Sequence, residues 1–383
     1  MARLSRRKRK AQEAQLAEQG YISRSQAQMI WQAFRRHRVG NVGTLIVILF
    51  FVAAVLAQFI GPYHYSEQFR RHSYSPPSTI HWRDDDGSLS RPYVYNTERT
   101  IVDYRGVFAE DTSKKYYLQF FVSGGSEHNL FGFINTTVHL FSARAEDGTE
   151  APVFLFGTDK LGRDLFTRCL VGSWVSLAVG PLVILISFPL GILLGGVSGY
   201  YGGGVDMFIQ RACEVMLAIP GLPILMAMGA ALRGFGLSAM MVFLGVILAL
   251  AIISWGGLAR IIRGQVLAIR EMDFVTAARA AGATDLRIVI RHIIPNVTSY
   301  LVVSATLTIP GMMLTEAALS FLGYGIQEPM TSWGQLLSVA TNIGSMELYP
   351  WVLIPGAFIV VAVLAFNFMG DALRDAVDPY SIV

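Results

Sequence analysis

The chain has 383 residues, 53% of them hydrophobic and only 15% charged, with a mean hydropathy of +0.45 and a formal net charge of +4. So apolar a balance excludes a soluble globular protein of this size and points to a polytopic membrane protein. The two cysteines, Cys169 and Cys213, lie in or near apolar runs, which leaves neither a disulfide framework nor a metal quartet.

Residues 1–22 are charged and rich in Gln and Ala, with no apolar face to bury, and are expected to be mobile or loosely helical. The run Arg6-Arg7-Lys8-Arg9-Lys10 has the composition of a nucleic-acid arm, but ahead of a membrane span it reads as an orientation signal near anionic lipid. No nucleic-acid partner is expected. Ser23 can cap an amphipathic helix in which Ala27, Ile30, Trp31 and Phe34 recur at helical spacing, followed by Arg35-Arg36-His37-Arg38. That pattern suits a helix lying in the membrane interface. The first apolar run, 42–60, has no small-residue cleavage site before Gly61-Pro62 and is expected to remain as an anchor.

Between 62 and 156 charges, prolines and aromatics replace the apolar runs. Segments 91–96, 115–123, 136–142 and 152–156 read as short strands bounded by Asp-Gly and Gly-Gly turn pairs, forming a small β-rich extracytoplasmic subdomain. Asp84-Asp85-Asp86 followed by Gly87 reads as a solvated turn rather than a cation site. Next comes Gly157-Thr158-Asp159-Lys160-Leu161-Gly162-Arg163-Asp164, where the glycines permit sharp turns and Asp159, Arg163 and Asp164 can pair into a rigid cap at the membrane surface.

Five further apolar runs follow, at 169–200, 207–232, 237–259, 297–323 and 351–369, each long enough to cross about 30 Å of hydrocarbon. Gly191, Gly195 and Gly199 recur every four residues, the spacing of close helix packing or of a hinge. Prolines at 181, 189, 220, 223, 310 and 355 interrupt the runs, as suits helices that rearrange. Arg211, Glu214 and Glu316 are ionisable residues within spans and therefore candidates for a translocation path. Arg211 and Glu214, three apart, can neutralise one another; Glu316 lies deeper.

Charge sets the orientation, because Lys and Arg concentrate on the cytosolic side. Arg3, Arg6, Arg7, Lys8, Arg9, Lys10, Arg24, Arg35, Arg36 and Arg38 hold the N-terminus inside. The fourth connection, with Arg260, Arg263, Arg270, Arg279, Arg287 and Arg291, is then inside, and segment 324–350, without Lys or Arg, is outside. The expected division is a cytoplasmic tail and interfacial helix (1–41), a first transmembrane helix (42–61), an extracytoplasmic loop or subdomain (62–166) and a five-helix core (167–383). Both termini are expected to be cytoplasmic.

Within the core, the cytoplasmic loop at 260–296 carries the most specific signal. Asp273 can cap a short helix containing Ala277, Ala278, Ala280 and Ala281, and Gly282 supplies its stop. A second helix can start at Thr284 or Asp285 and should end before Pro295, since the residue preceding proline avoids the α region. The small side chains admit another protein's backbone, and Arg279, Arg287 and Arg291 offer polar anchors on the same surface.

No Gly-x-x-x-x-Gly-Lys-Ser/Thr occurs, no His-Glu-x-x-His or Cys-x-x-Cys, and no Gly-x-Ser-x-Gly. Phosphate-loop nucleotide binding, metal-dependent hydrolysis and an elbow nucleophile thus have no sequence support, and no catalytic residue, metal or cofactor is expected in this chain.

The loop resembles the one that permeases of ATP-binding-cassette (ABC) importers insert into their ATPase subunits. That pattern is Glu-Ala-Ala, three residues, Gly, nine residues, Ile, one residue, Leu-Pro. Ala277, Ala278, Gly282 and Pro295 match it, while Thr276, His292 and Ile294 replace the Glu, Ile and Leu. Ala278-Arg-Ala-x-Gly-Ala283 and Arg291-His-Ile-x-Pro-Asn296 are similar to the peptide and nickel branch, as are Gly157–Asp164, Gly199–Asp206, Ile219–Pro223, Glu316–Gly323 and Gly370–Pro379. Lys115-Tyr-Tyr-Leu-Gln-Phe-Phe and Phe131-Gly-Phe-Ile-Asn-Thr-Thr-Val-His-Leu140 resemble the enlarged outer loop of the Yej subgroup.

The resemblance implies an all-α polytopic fold with six transmembrane helices plus the β-rich insert, in a bacterial inner membrane. It implies a second homologous permease subunit, two ATPase subunits or domains that bind the ATP and magnesium, an extracytoplasmic binding protein and a peptide substrate, with nickel or another small solute as the alternative. Asp273, Thr276, Ala277, Ala278, Gly282, Ala283, Arg287 and Pro295 would form the ATPase-coupling surface. An ion-coupled secondary transporter would need paired intramembrane acids and inverted repeats, and the sequence shows neither. A ligand-binding sensor would need a separable cytosolic signalling domain, which the N-terminus and the tail from Asp371 do not supply.

Overall fold

The computed structural model describes residues 26–84, 86–102, 105–130 and 134–377. The basic run at 6–10, Ser23, Arg24, Asp85, Phe131–Phe133 and Asp378-Pro379 lie outside them.

The described residues begin with α1 (Gln26–Arg36), α2 (Arg38–Val55) and α3 (Ala57–Ile60). Phe34 of α1 packs on Ala372 and Ala376 near the chain's end, and His37 accepts the Gly40 N–H to start α2. The core then supplies α4 (Leu165–Tyr201), α5 (Gly203–Ala218), α6 (Gly221–Gly234) and α7 (Ala239–Ile269). After α8 (Asp273–Ala280) and α9 (Asp285–Ile288) come α10 (Ile294–Phe321), the short α11 (Trp333–Leu337) and α12 (Ile343–Leu348), and α13 (Ile354–Val377).

Five helical stretches among the described residues are long and apolar enough to span: 38–55, 165–201, 239–269, 285–321 and 350–377. The third expected span, 207–232, is not one straight helix. It is the pair α5 and α6, bent by 83° at Ile219-Pro220. Proline forces its predecessor out of the α region, and Ile219 is extended at φ −75°, ψ 127°.

The α4 glycines bring that helix close to α7. A Cβ on Gly195 would lie 2.4 Å from the Ala259 carbonyl oxygen, and one on Gly191 would lie 2.9 Å from Leu258. The four-residue spacing thus serves close packing. Around this seam Val175, Val179 and Val183 of α4 bury against Val242, Val246 and Leu250 of α7.

Segment 324–350 is more than an outer connection. Trp333 of α11 is fully buried, donating its indole N–H to the Cys169 carbonyl (2.9 Å) and its backbone N–H to Ser176 Oγ (2.9 Å). The loop therefore folds back into the bundle and ties α4 to α10 and α13.

The insert is one antiparallel sheet in sequential order: β1 (His81–Arg83), β2 (Leu89–Val102), β3 (Arg105–Leu130), β4 (Ile134–Arg144) and β5 (Glu150–Ala151). Three expected strands lie inside longer ones. β3 continues through Gly124-Gly125, where a register shift between Ser123 and His128 takes the place of the expected turn. The fourth expected strand, 152–156, is unpaired. Val153 and Phe154 are instead held by Tyr63 Oη and Ser78 Oγ, which accept their N–H groups at 2.6 and 3.0 Å, and the Phe154 carbonyl accepts the Ser78 N–H (2.8 Å), so two side chains and one backbone bond stand in for a ladder. Asp84 pairs with Lys115 (2.9 Å), and Asp86 accepts from Ser88 N and Oγ, as befits a turn. Val94, Phe141, Ala143 and Val153 form the core, joined by Phe166 of α4.

Candidate functional site

The loop between α7 and α10 is a helix, a glycine turn and a second helix. Met272 holds the cap position without a side-chain bond, and Asp273 is the first helical residue, where its carboxylate meets the positive end of the helix dipole. At the other end Ala283 N bonds Ala278 O (3.1 Å) and Gly282 N bonds Arg279 O (3.0 Å), the paired closure of a Schellman turn. Gly282 sits at φ +80°, and a Cβ there would meet nothing within 4 Å among the described residues. Backbone conformation alone, with no crowding inside the chain, calls for glycine.

Pro295 does not end the second helix. α9 passes through a π-helical stretch, Val289–Ile293, straight into α10, with Pro295 as its second residue. Proline's ring ordinarily clashes with the carbonyl four residues back. The widened turn, in which Ile294 N bonds Val289 O, opens the ladder just where that clash would fall. The loop is thereby fused to a single helical rod running from Asp285 to Phe321.

One side of this unit is anchored. Val275, Ile288 and Ile293 are fully buried against Phe188 and Tyr200 of α4 and Leu258, Ile262 and Val266 of α7. Tyr200 Oη donates to Asp285 Oδ1 (2.7 Å), the Arg279 guanidinium lies 5.9 Å from the Tyr200 ring, and Arg270 donates to the Gly199 and Tyr200 carbonyls (3.0 and 3.3 Å). Nearby, Arg263 grips Asp206 through two 2.5 Å bonds. The opposite side is bare. Asp273, Thr276, Ala277, Gly282, Arg287 and Pro295 are exposed, and Phe274, Leu286 and Ile290 show 40%, 67% and 56% of their surface. Ala278 and Ala283 turn inward against the buried cluster. Tyr200 was not legible as part of this site, since nothing near it in sequence marks it as the floor of a loop 80 residues on; Asp285 and Arg270 fell within the expected loop, but their bonds to α4 did not show.

At the other end of α4 the Gly157–Asp164 segment is a clasp. Asp159 accepts from Leu161 N (2.8 Å), Arg163 N (3.0 Å) and Arg163 Nε (2.7 Å), and also from Arg168 Nη1. Arg163 then makes a bidentate pair with Glu328 (2.9 and 2.6 Å), which Arg168 joins at 3.1 Å. The Arg163 guanidinium holds Glu328 down at about 2, with Arg168 assisting and partial burial opposing. Asp164 stays out of this network and caps α4, accepting from Thr167 N (2.8 Å) and Oγ1 (2.6 Å). Burial pushes its carboxyl up to about 6 against those bonds. Thr158 accepts the Ser75 N–H (2.8 Å) and gives its carbonyl to Trp351 Nε1 (3.1 Å). Gly157 and Gly162 have φ +73° and +75°, and a Cβ on Gly162 would lie 2.1 Å from the Phe69 carbonyl oxygen. Sequence reasoning found Asp159 and Arg163 but missed Arg168 and Glu328. Glu328 lies 165 residues from Arg163, beyond any local pattern.

The three ionisable candidates within the spans do not come together in one site. Arg211 and Glu214 pair with each other at 2.7 Å, exposed on α5. Glu316 is fully buried inside the subunit, where its Oε1 accepts from Ser320 (2.6 Å) and from Ser332 (2.9 Å), the cap of α11.

A bundle of apolar spans with an anchored, outward-facing helical loop at one end and a charged clasp at the other is the layout of a multi-pass transport permease. The profile described as "binding-protein-dependent transport system inner membrane component" matches residues 187–381, and "N-terminal TM domain of oligopeptide transport permease C" matches residues 25–77. The chain belongs to this family of inner membrane transport components. It is 31% identical over 361 residues to the dipeptide transport system permease protein DppC of Bacillus subtilis, covering 93% of this chain and 87% of that one. The oligopeptide transport system permease protein OppC of Haemophilus influenzae is 43% identical over 225 residues (58% and 70% of the two chains). The glutathione transport system permease protein GsiD of Pectobacterium atrosepticum is 40% identical over 237 residues (62% and 75%). The β-sheet insert falls between the two matched segments.

Proposed function

We propose that the chain is one of two permease subunits of an ATP-driven ABC importer that carries peptides across the bacterial inner membrane into the cytoplasm. The observation that carries this reading is the loop at 273–295, bare outward, anchored inward, and continuous with a spanning helix. Asp273, Thr276, Ala277, Gly282, Arg287 and Pro295 form the surface that enters a cleft of the ATPase, and Ala278 and Ala283 seat it on α4 and α7. Two ATPase subunits or domains bind the ATP and magnesium and perform the hydrolysis; this chain supplies no catalytic group.

Force enters at the glycine turn. Because α9 and α10 are one rod and Val275 and Ile288 are packed on the ends of α4 and α7, displacement of the loop moves three spans together. The loop must bind the two ATPase states unequally, since a contact of equal strength in both shifts no equilibrium. A binding protein delivers the peptide on the opposite face, where the clasp and the insert lie, and both chain termini are cytoplasmic. The relatives named for dipeptide, oligopeptide and glutathione transport support the peptide class.

The test is reconstitution in vesicles with the second permease, the ATPases and the binding protein. Accumulation of a labelled peptide should require ATP and every component. Uptake by the permeases alone, driven by an ion gradient, would replace this reading with a secondary transporter.

A further inference from the structure

The insert meets the bundle where β3 and β4 cross the end of the first span, and an aromatic pair there packs into no core among the described residues. Phe120 and Phe121 are 63% and 69% exposed, while the next residue, Val122, is buried. Successive side chains on a strand take opposite faces. Phe121 departs from this through its backbone, at φ +55°, a left-handed conformation that is an outlier for a bulky residue. Pairing on either side is undisturbed, Phe120 with Phe141 and Val122 with His139, so the kink re-aims a side chain without shifting the strand. The site is also pinned in place, with His139 Nδ1 2.9 Å from the Gly61 carbonyl oxygen at the end of α3.

What lies beside the pair identifies its surroundings. The Phe121 ring centroid is 6.2 Å from that of Phe59 in α3. Phe59 continues the helical stripe of Leu45, Ile48, Val52 and Val55, which are 56%, 52%, 47% and 45% exposed. The other side of α2 carries the small residues: a Cβ on Gly40 would lie 2.1 Å from Ala372 Cβ, and one on Gly43 2.6 Å from the Ala365 carbonyl oxygen of α13. Helices in membranes meet through small residues, so the stripe of large aliphatics faces lipid.

Depth follows from helix geometry. The hydrogen-bond ladder runs on from α2 into α3, with Leu56 N to Val52 O and Ile60 N to Leu56 O both 2.9 Å. From Arg38 to Phe59 the rise is therefore about 31 Å, close to the roughly 30 Å of hydrocarbon. Phe59, and Phe121 against it, lie at the outer edge of the acyl region.

We propose that Phe120 and Phe121 insert into the outer leaflet of the bilayer, packing on phospholipid acyl chains just below the headgroups and holding the insert's sheet against the membrane surface. The inference rests on α2 crossing the membrane and is independent of what the importer carries.

The test uses the intact importer in vesicles of phosphatidylethanolamine and phosphatidylglycerol, with a nitroxide on Phe121→Cys, on Phe120→Cys and, as a control at the far end of β3 where it pairs with Thr100, on Val107→Cys, 46% exposed. Cys169 and Cys213 are buried and stay unlabelled. At 120 and 121 collisions with dissolved oxygen should outnumber those with a water-soluble nickel chelate, and at 107 the order should reverse. Chelate collisions at 121 as frequent as at 107 would overturn the proposal, as would shielding from both reagents, the mark of a protein neighbour. A second variant, Phe120→Trp, should add fluorescence that headgroup-proximal brominated lipid quenches; added fluorescence without quenching would also overturn it.

Discussion

Substitution at Gly282 separates strain within the chain from contact with a partner. At φ +80° an L-residue with a Cβ costs about 1–2 kcal/mol, and asparagine, which tolerates this region, costs less. Since a Cβ there meets nothing among the described residues, side-chain size adds nothing inside the subunit. Gly282→Ala and Gly282→Trp should therefore destabilise the permease alike, opening the turn roughly 5- to 30-fold more often, with Gly282→Asn the mildest. Docking in a cleft predicts another order for transport: Ala and Asn retain ATP-driven uptake, whereas Trp abolishes it. The assay pairs thermal unfolding of the permease with peptide uptake in vesicles. Uptake by Gly282→Trp equal to that of Gly282→Ala would refute the reasoning.

Other consequences are directly measurable. Asp159→Asn leaves Arg163 and Arg168, which are 8% and 3% exposed, without their buried counter-ion and should cost about 3–5 kcal/mol. Glu328→Gln should cost less, about 1 kcal/mol, because that carboxylate is 43% exposed and screened. Glu328 has a folded value of about 2, below its ordinary 4.5, so its share of stability is present above 4.5 and disappears as pH falls toward 2. Asp164 acts in the opposite sense. With a folded value of about 6 against 3.8, it lowers stability as pH rises between those values. Asp164→Asn should remove that slope in a pH series of unfolding midpoints while keeping the cap, whereas Asp164→Ala should remove slope and cap together, lying about 1 kcal/mol below Asp164→Asn at any pH. Glu316→Gln can still accept from Ser320 and Ser332 and should leave ATP-driven uptake intact; loss of uptake with normal folding would make Glu316 part of the path.

The spans and the helix, glycine turn and second helix at 273–288 were legible because each depends on local composition: apolar runs, and alanines ended by a glycine. What was not legible depended on competition or on distance. Pro220 and Pro295 carry the same local rule, yet one breaks a span by 83° while the other sits inside a rod, because only before Pro295 does the ladder widen to a π turn. Segment 152–156 has strand composition, but Tyr63 and Ser78 take its hydrogen bonds before a strand can. Glu328 completes the clasp from a loop that by charge alone reads only as an outer connection, and the Phe121 kink follows from no residue preference at all.

The central claim is that the 273–295 loop enters an ATPase cleft. A photoreactive residue at Ala281, exposed beside the glycine turn, tests it in the intact complex, with the same group at Leu89 on the insert as control. Illumination should cross-link Ala281 to a nucleotide-binding subunit, with a yield that changes between the nucleotide-free and ATP-bound states, and Leu89 should give no such product. Absence of that cross-link in a complex that still takes up peptide at the expense of ATP would contradict the account.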